Sequence, residues 1–354
     1  MTQIKSTRVT ALDLPLKEPF EIALGMQNNA KNVLVAVETD SGTVGYGEGA
    51  PIPSITGETQ GATIATAKSM CSLITGAAIE EYRSISNTIT AAFAGMPAAR
   101  LAVETAIVDA YCRERDIPLS ELVGNPPSPI TTDLTIPIVP PDAGKVRAEK
   151  AVQKGYSELK IKTGTDIESD VERVVAVSDA APEAELKVDA NQGWTPTEAI
   201  RFVDNLESHG VQLQLLEQPV GRYDIDGIKY VRERVNVPVA ADESVMIPED
   251  ALSVLRRGAA DVINLKLNKS GLLGAMDIIS IGRASGTELM IGCMLESAIG
   301  IHTGAHLAAG SNSFTYRDLD GNRLLAEDII TDEGPTIDIS GPGHGITPDE
   351  NFIK

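Results

Sequence analysis

The sequence has few cysteines and no long apolar run. Its 354 residues include three cysteines, Cys71, Cys112 and Cys293, which are scattered and odd in number. This pattern favours neither a disulfide framework nor a zinc site, so we interpret them as small core residues. No stretch is long and apolar enough to cross a bilayer, and the first 20 residues lack the apolar centre of a signal peptide. We therefore expect a soluble, cytoplasmic protein without a membrane partner.

Positive charge is also scarce. The chain has 30 lysines and arginines against 50 aspartates and glutamates, a formal net charge of −20. Because phosphate binding requires clustered Lys and Arg, this excess argues against nucleic acid as a partner. It would suit a cationic ligand, but we interpret it mainly as a solvated acidic surface.

The pattern of residues changes near residue 125. The start of the chain alternates as strands do, with a turn signal at Asp40-Ser41-Gly42, and helical periodicity then runs from Thr59 to Arg115. Pro97 suits the first position of the clearest helix. The run GNPPSP that begins at Gly124 is the most loop-like segment and is our predicted boundary. Beyond it, short apolar strands alternate with helical segments, which indicates βαβ units and a parallel sheet.

One polar residue recurs near the end of each strand after this boundary. Successive members are 24 to 28 residues apart, about the length of one strand, loop and helix unit. A closed (β/α) barrel explains the spacing because it gathers the C-terminal ends of its strands into one ring, where active sites form. An open doubly wound sheet would spread them along a line and usually has a glycine-rich phosphate turn, which we do not find. The recurring residues are Lys162, Asp189, Glu217, Asp242, Lys266, Cys293 and Asp318.

Three of these residues, Asp189, Glu217 and Asp242, are carboxylates in apolar surroundings on consecutive strands. With no His or Cys nearby in the sequence they would form an all-oxygen site, which suits Mg²⁺, with Mn²⁺ as a substitute, and disfavours zinc. The alternative is three separate salt-bridged carboxylates at the barrel mouth. His302 and His306 lie four apart and could hold a metal on a helix, but we interpret them as packing residues.

Lysines precede and follow the three carboxylates. Lys160 and Lys162 share one face of a strand, and Lys266 lies one unit beyond the last carboxylate. On a closed ring Lys162 and Lys266 could lie on opposite sides of one substrate, where one removes a proton and the other returns it. The Lys160 ammonium and a metal ion would pull the lysine pKa toward neutrality, and the metal would stabilise the enolate. For an isolated lysine the alternative is an ion pair or a snorkelling side chain.

The ordered motifs KIK, VDAN, LEQP, DES and NLKLNKSG resemble those of the enolase superfamily, in its muconate-lactonising subgroup. The resemblance implies an α/β fold, a modified (β/α)₇β TIM-type barrel over residues 126–321. An α+β capping domain would combine residues 1–125, a three-stranded sheet plus helices, with the C-terminal segment 322–354. A homo-oligomer is also implied. The implied roles are metal ligands for Asp189, Glu217 and Asp242, acid/base catalysts for Lys162 and Lys266 with Lys160 assisting, and proximity to the site for Asn191.

The subgroup contains cycloisomerases, o-succinylbenzoate synthases, N-acylamino-acid racemases and dipeptide epimerases. The motif RDLDG places Asp318 and Asp320 two residues apart and resembles the Asp-x-Asp signature of dipeptide epimerases, whose carboxylates bind the substrate α-ammonium. Two acids on one face of a strand end make a receptor for a cation. The alternative for this motif is a solvated acidic turn. Met294, in the more widely shared motif GCMLES, is a further predicted substrate contact.

The resemblance therefore implies an isomerase, an Mg²⁺-dependent dipeptide epimerase that inverts an α-carbon by 1,1-proton transfer through an enolate. One alternative is an N-acylamino-acid racemase, or an o-succinylbenzoate synthase or cycloisomerase of the same superfamily. The other is a non-catalytic barrel protein that binds a small ligand.

The first capping loop departs from the Ala-Glu epimerase pattern. Those enzymes place an arginine there in a context like PF-x-x-AL-R, whereas this chain reads PFEIALGMQ, with Gly25 at that position. If this stretch is extended, one face suits an apolar side chain, so we predict L-Ala-L-X with apolar X. Glu48 and Glu58 leave a cationic side chain as an alternative. The residues expected on the shared face are Phe20, Ile22, Leu24 and Met26, with Leu24 as a substrate contact.

Overall fold

The structure, a computed structural model, describes residues 1–353 and begins with a three-stranded antiparallel sheet. Its strands are β1 (Ile4–Ile22), β2 (Gly25–Thr39) and β3 (Val44–Gly49), in that order across the sheet. The predicted turn joins β2 to β3, and Gly42 within it adopts a φ of 92°, which glycine accommodates readily. The predicted strand-rich start of the chain is confirmed.

Four helices follow the sheet, and the third lies directly on β3. Alternate residues of β3 are glycines, and a Cβ on Gly45, Gly47 or Gly49 would lie 2.1 to 2.3 Å from a backbone atom of that helix. A side chain at these positions would push the helix away, so the glycines permit the close contact. The helix begins at Pro97, as predicted. The four are α1 (Gln60–Ile74), α2 (Tyr82–Ala92), α3 (Pro97–Glu114) and α4 (Leu119–Val123).

After a short strand β4 (Ile130–Thr131), eight parallel strands alternate with seven helices, which is the predicted (β/α)₇β arrangement. Within residues 1–353, no helix combines the length and the apolar character needed to cross a membrane. The strands are β5 (Leu134–Ile136), β6 (Glu158–Lys162), β7 (Glu185–Asp189), β8 (Leu215–Glu217), β9 (Val239–Ala241), β10 (Val262–Lys266), β11 (Glu288–Gly292) and β12 (Tyr316–Asp318). The helices are α5 (Pro141–Gln153), α6 (Ile167–Ala180), α7 (Pro196–Ser208), α8 (Ile225–Arg232), α9 (Pro248–Arg257), α10 (Leu267–Ser285) and α11 (Ala298–Ser311).

The eight strands follow chain order across the sheet, and its two edges meet. The Asp133 N–H donates to the Arg317 carbonyl at 3.3 Å, just before β5 and within β12. The Thr135 N–H of β5 donates to Asp320 Oδ2 at 2.6 Å. These contacts bring the first strand beside the last, so the C-terminal strand ends form a ring.

Both faces of β6 are covered by protein. Leu159 and Ile161 join the main apolar core between the sheet and the helices. Lys160 and Lys162, on the opposite face, point into the barrel and are 0% and 7% exposed. The period-two alternation of a strand therefore places two ammonium groups inside the molecule.

The C-terminal tail runs back over both earlier parts of the chain. Its strand β13 (Thr336–Ile337) pairs antiparallel with β4, and Leu325 packs with Leu12 and Leu14 of β1. The tail thus contacts the N-terminal sheet as well as the segment that leads into the barrel. A division of the chain at residues 125 and 321 stays a prediction.

Candidate active site

Three carboxylates lie together at the C-terminal ends of three adjacent barrel strands. Asp189 ends β7 and Glu217 ends β8, and the two are direct neighbours across the sheet, while Asp242 follows β9. All three are buried, and one oxygen of each lies within 4.8 Å of the others. The barrel therefore brings the predicted carboxylate triad to one point in its mouth.

Lysines lie on both sides of this triad. Lys162 Nζ donates to Asp189 Oδ2 at 2.6 Å, and Lys266 Nζ lies 2.7 Å from Asp242 Oδ2. The two lysines end β6 and β10, which are four strands apart in an eight-stranded barrel, and both line one pocket. They are therefore placed to face a bound molecule from opposite sides.

Lys160 connects the triad to a further acid. Its Nζ lies 2.6 Å from Asp318 Oδ2, 2.8 Å from Glu217 Oε2 and 3.2 Å from Asp189 Oδ2. Burial lowers the pKa of Lys160, but the charges of these carboxylates outweigh burial and hold that pKa well above its ordinary value. From the sequence we expected the positive charge of Lys160 to act on Lys162. In the structure, three carboxylates surround Lys160 and offset that charge.

The donor set of the triad fits a divalent cation that prefers oxygen. Glu217 Oε2 and Asp242 Oδ2 are buried, and within residues 1–353 their polar partners are lysine ammonium groups, Lys160 at 2.8 Å and Lys266 at 2.7 Å. Burial and the charge of Asp189 raise the pKa of Glu217 to about 8. At Asp242 burial also raises the pKa, but the charge of Lys266 outweighs it and the pKa is lowered. Crowded carboxylates of this kind are what a bound Mg²⁺ would stabilise.

Two residues not predicted from the sequence donate hydrogen bonds to the second carboxylate oxygens of Asp242 and Glu217, Oδ1 and Oε1. Lys269 Nζ donates to Asp242 Oδ1 at 2.5 Å and to the Asn264 carbonyl at 2.9 Å. The Asn264 side-chain amide donates to Glu217 Oε1 at 2.8 Å. Both residues stand within the motif NLKLNK, whose repeated polar positions were the available signal.

Asn191 lies beside Asp189, as the resemblance implies. Its backbone N–H donates to Asp189 Oδ1 at 2.9 Å, and its side-chain amide donates to Glu243 Oε1 at 3.2 Å. Glu243 is buried, and burial together with the charge of Asp242 raises the pKa of Glu243 to about 7. Glu243 was not predicted, although two consecutive acids at a strand end were a visible signal.

A second acidic pair faces the same pocket. Asp318 ends β12 and Asp320 follows two residues later, and they are 4% and 2% exposed. Burial and the charge of Asp318 raise the pKa of Asp320 to about 6. The interpretation of this motif as a solvated acidic turn is therefore wrong, whereas its role as a receptor for a cation stays a prediction.

Cys293 belongs to this part of the pocket. Its sulfur and one oxygen each of Asp318 and Asp320 lie within 4.8 Å of one another. Cys71 and Cys112 are buried in the apolar core as predicted. Cys293 is half-buried: it packs against the main core and also lines the pocket, so its interpretation as a core residue is only partly correct.

Apolar side chains from the N-terminal region, the loop after β11 and the segment after β12 form one wall of the pocket. It includes the predicted contact Met294, and within residues 1–353 no arginine lines this pocket. Leu24 does not line the pocket but packs against the cluster that contains Ile55 and Met294. The wall consists of Phe20, Ile22, Ile52, Ile55, Met294, Leu295 and Leu324.

The stretch PFEIALGMQ is a hairpin and not one extended strand. β1 ends at Ile22, the chain reverses, and Glu21 pairs with Met26 on β2. Residues directly opposite each other on antiparallel strands point to the same side, so Met26 points away from the side of Phe20. Met26 is accordingly 57% exposed. The predicted shared face is correct for Phe20 and Ile22 and wrong for Met26.

Four other residues singled out from the sequence lie outside the pocket. Glu48 accepts hydrogen bonds from backbone N–H groups at the start of α11, and Glu58 does the same at the start of α3. These two acids therefore do not support the alternative of a cationic substrate side chain. His302 and His306 are buried on α11, in agreement with their interpretation as packing residues.

Two family models match the chain. Residues 4–124 match the model described as mandelate racemase / muconate lactonizing enzyme, N-terminal domain. Residues 145–352 match the model described as enolase C-terminal domain-like. The first match covers the N-terminal sheet with its helices, and the second covers most of the barrel and the tail.

Individual relatives are similar over almost the whole chain. A hydrophobic dipeptide epimerase from Enterococcus faecalis is 41% identical over 338 residues, 93% of each chain. An L-Ala-D/L-Glu epimerase from Clostridium acetobutylicum is 36% identical over 351 residues, 97% of this chain and 98% of the relative. A crystal structure of dipeptide epimerase from Enterococcus faecalis V583, complexed with Mg and the dipeptide L-Leu-L-Tyr, superposes with a TM-score of 0.93 at 38% identity, covering 98% of this chain and 99% of that one.

Proposed function

Because the chain belongs to the mandelate racemase/muconate lactonizing enzyme family of the enolase superfamily, we propose that it is an Mg²⁺-dependent dipeptide epimerase. The observation that carries this proposal is the buried pair Asp318 and Asp320, which lines the same pocket as Lys162 and Lys266. Lys160 pairs with Asp318, but no salt bridge reaches Asp320 within residues 1–353, so one buried carboxylate still needs a compensating cation. The α-ammonium of a dipeptide would supply it. An N-acylated amino acid has no such group, so the pair favours a free dipeptide.

Lys162 and Lys266 are the proposed acid/base pair. One removes the α-proton and the other delivers a proton to the opposite face, which inverts the α-carbon. A lysine must lose its own proton before it can act as a base. Burial lowers the pKa of Lys266, but the charge of Asp242 outweighs burial and raises it, so the base form requires Asp242 to be shared with another cation.

Asp189, Glu217 and Asp242 are the proposed ligands of that cation, and we expect Mn²⁺ to substitute for Mg²⁺. When bound, Mg²⁺ supplies positive charge where negative charge develops on the substrate as the α-proton leaves. Lys160 contacts both Glu217 and Asp318. Its proposed role is to hold the metal-binding triad and the ammonium-binding pair at a fixed separation.

The proposed substrate is L-Ala-L-X with an apolar X. The wall of the pocket is apolar and has no arginine within residues 1–353. Gly25, which stands where Ala-Glu epimerases place an arginine, has a φ of 132° in the turn of the hairpin, a conformation that an arginine would adopt only with strain. Both features favour an apolar side chain over an acidic one.

The test is a library of dipeptides incubated with the enzyme and Mg²⁺ in D₂O, with deuterium at the α-carbon measured by mass spectrometry. Free dipeptides with an apolar second residue should exchange fastest, and their N-acetylated forms much more slowly. A chelator should abolish exchange, and added Mg²⁺ or Mn²⁺ should restore it. Equal rates on free and acetylated substrates would contradict the role of Asp318 and Asp320 and favour an N-acylamino-acid racemase. Absence of exchange throughout would favour a non-catalytic binding protein.

Two further proposals rest on the family resemblance. They are assembly as a homo-oligomer, and the division into a capping domain of residues 1–125 with 322–354 and a barrel of residues 126–321. A cytoplasmic location is a third proposal, which rests on the composition of the sequence.

A further inference from the structure

The sheet alone does not fix the three ligand-bearing strand ends to one another. The pairing of β7 with β8 reaches Asp189 and Glu217, which lie directly opposite each other. The pairing of β8 with β9 ends earlier, where Glu217 lies opposite Ala240. Asp242 stands two residues beyond that point. Another connection is needed to hold Asp242 in place relative to Glu217.

The side chain of Gln218 makes this connection. Its Oε1 accepts hydrogen bonds from the backbone N–H of Asp242 at 2.8 Å and of Ser244 at 3.2 Å. Its Nε2 donates to the Val220 carbonyl and to Ser244 Oγ, both at 2.9 Å. Gln218 is 0% exposed, and two backbone donors meeting at one atom identify that atom as the amide oxygen. The side chain therefore uses its full hydrogen-bonding capacity to tie the segment after β8 to the segment after β9.

Gln192 makes the corresponding connection one unit earlier. Its Oε1 accepts a hydrogen bond from the Arg222 N–H at 3.0 Å, and its own backbone N–H donates to the Gln218 carbonyl at 2.9 Å. The segments that follow Asp189, Glu217 and Asp242 are thus linked in series by two glutamines.

Both glutamines hold a backbone conformation that residues other than glycine rarely adopt. The φ angles are 72° at Gln192 and 36° at Gln218, and Asn191, which directly precedes Gln192 and contacts Asp189, has a φ of 40°. Within residues 1–353 the other positive-φ residues that are not glycine are Asp116 and Asn312, which lie just after helices. Such conformations persist only where the surroundings impose them, and here they are imposed beside the metal-ligand positions.

We infer that Gln192 and Gln218 are positioning residues that preorganise the carboxylate triad for a divalent cation. This inference rests on the metal site of the proposed function. Neither glutamine ligates the cation in this account. Gln218 is expected to matter more because its side chain makes three hydrogen bonds to the neighbouring segment, whereas that of Gln192 makes one.

The experiment measures Mn²⁺ binding to the full-length protein without substrate, by calorimetry or electron paramagnetic resonance. Gln218→Met keeps the length of the side chain and removes its hydrogen bonds. We expect about 10- to 100-fold weaker Mn²⁺ binding, the range found when hydrogen-bond partners of metal ligands are removed. Gln192→Met should weaken binding less. Gln214→Met is the matched control, because Gln214 directly precedes the same strand at the other end of the barrel and bonds to Glu185.

Kinetics separate positioning from a purely structural role. In Gln218→Met, the Mg²⁺ concentration for half-maximal activity should rise, and saturating Mg²⁺ should restore most of kcat. A lowered Tm with unchanged Mn²⁺ affinity would overturn the inference, as would equal weakening in Gln214→Met. If Gln218→Met does not fold, Gln192→Met is tested instead. The inference then fails if Gln192→Met lowers Tm without changing the Mn²⁺ affinity, or if it weakens Mn²⁺ binding no more than Gln214→Met does. Failure of the wild-type protein to bind Mn²⁺ would instead contradict the proposed function.

Discussion

The two sides of the pocket are built differently. The barrel side consists of charged groups at strand ends, each buried and each in contact with an opposite charge, as at Lys162 with Asp189 and Lys266 with Asp242. The opposite side is an apolar wall from a hairpin and loops, with Phe20 and Ile22 only partly buried. In the proposed function, proton transfer and the preference for a substrate side chain thus depend on different residues of the pocket.

The largest effect is expected on the barrel side, from the loss of one lysine at a time. Lys162→Ala or Lys266→Ala should lower kcat about 10²- to 10⁴-fold, the usual contribution of a positioned acid or base. In each variant the loss of α-proton exchange in D₂O should fall mainly on one stereoisomer, and on the opposite one for the other lysine. Exchange followed by NMR on both diastereomers measures this. Identical loss for both isomers would contradict the two-sided arrangement.

Lys187→Met provides the matched control for a buried lysine. Lys187 is 0% exposed inside the barrel, but it pairs with Asp133 at 2.8 Å and Glu158 at 2.7 Å and does not line the pocket. Its loss leaves buried carboxylates unpaired, so Tm should fall while the folded protein keeps its activity. Loss of activity as large as that of Lys162→Ala would show that buried charge in general, and not its position, sets the rate.

A smaller effect is expected from Asp320→Asn, which tests the ammonium-binding pair. Asparagine keeps an oxygen for the Thr135 N–H and removes the negative charge. A lost charge-assisted hydrogen bond costs about 1.5–3 kcal/mol, so KM for free dipeptides should rise about 10- to 150-fold. N-acetylated dipeptides should not be affected, and steady-state kinetics on both substrates distinguish the two cases. Asp226 on α8 is exposed, so Asp226→Asn should change KM for neither the free nor the acetylated dipeptides.

On the apolar wall, a new charge should change preference more than rate. Ile22→Arg should shift the ratio of kcat/KM toward L-Ala-L-Glu over L-Ala-L-Leu by about 10-fold, since one pocket contact is worth about 1–3 kcal/mol. Met26→Arg is the matched control, because Met26 is exposed and points away from the pocket. A competition assay with both dipeptides measures the ratio. An equal shift in the two variants would contradict the register of the hairpin.

The smallest effect on the pocket is expected from His306, which lies on neither side of it. His306 is buried on α11, its Nδ1 accepts from the Ser120 N–H at 3.3 Å, and burial lowers its pKa to about 3. The unfolded chain binds the proton near pH 6.5, so stability should fall as the pH drops from there toward 3, by up to about 1.4 kcal/mol per pH unit. In His306→Gln, thermal unfolding should show a shallower decline, with activity near neutral pH unchanged. An unaltered pH dependence of Tm would contradict this.

Much of the barrel side could be predicted because its residues repeat with the length of one βα unit. Asp189 and Glu217 stand one unit apart, and parallel neighbours in register then place them side by side. The hairpin could not be predicted in the same way, since alternation over a few residues is compatible with a continuous strand and with a turn. Gln218 was overlooked because its partner Asp242 lies 24 residues away, and no local pattern connects the two.

By itself the sequence determined which chemical groups stand at the strand ends. The period of a strand specifies whether a side chain points into the barrel, and the length of one βα unit specifies its position along the barrel axis. Only the tertiary structure decided which oxygen meets which ammonium group. Lys160 contacts Asp318 across 158 positions of sequence, and the direction of each side chain depends on neighbours contributed by distant segments. The same reason explains why the exposure of Met26 and the bridging role of Gln218 became visible only in the folded chain.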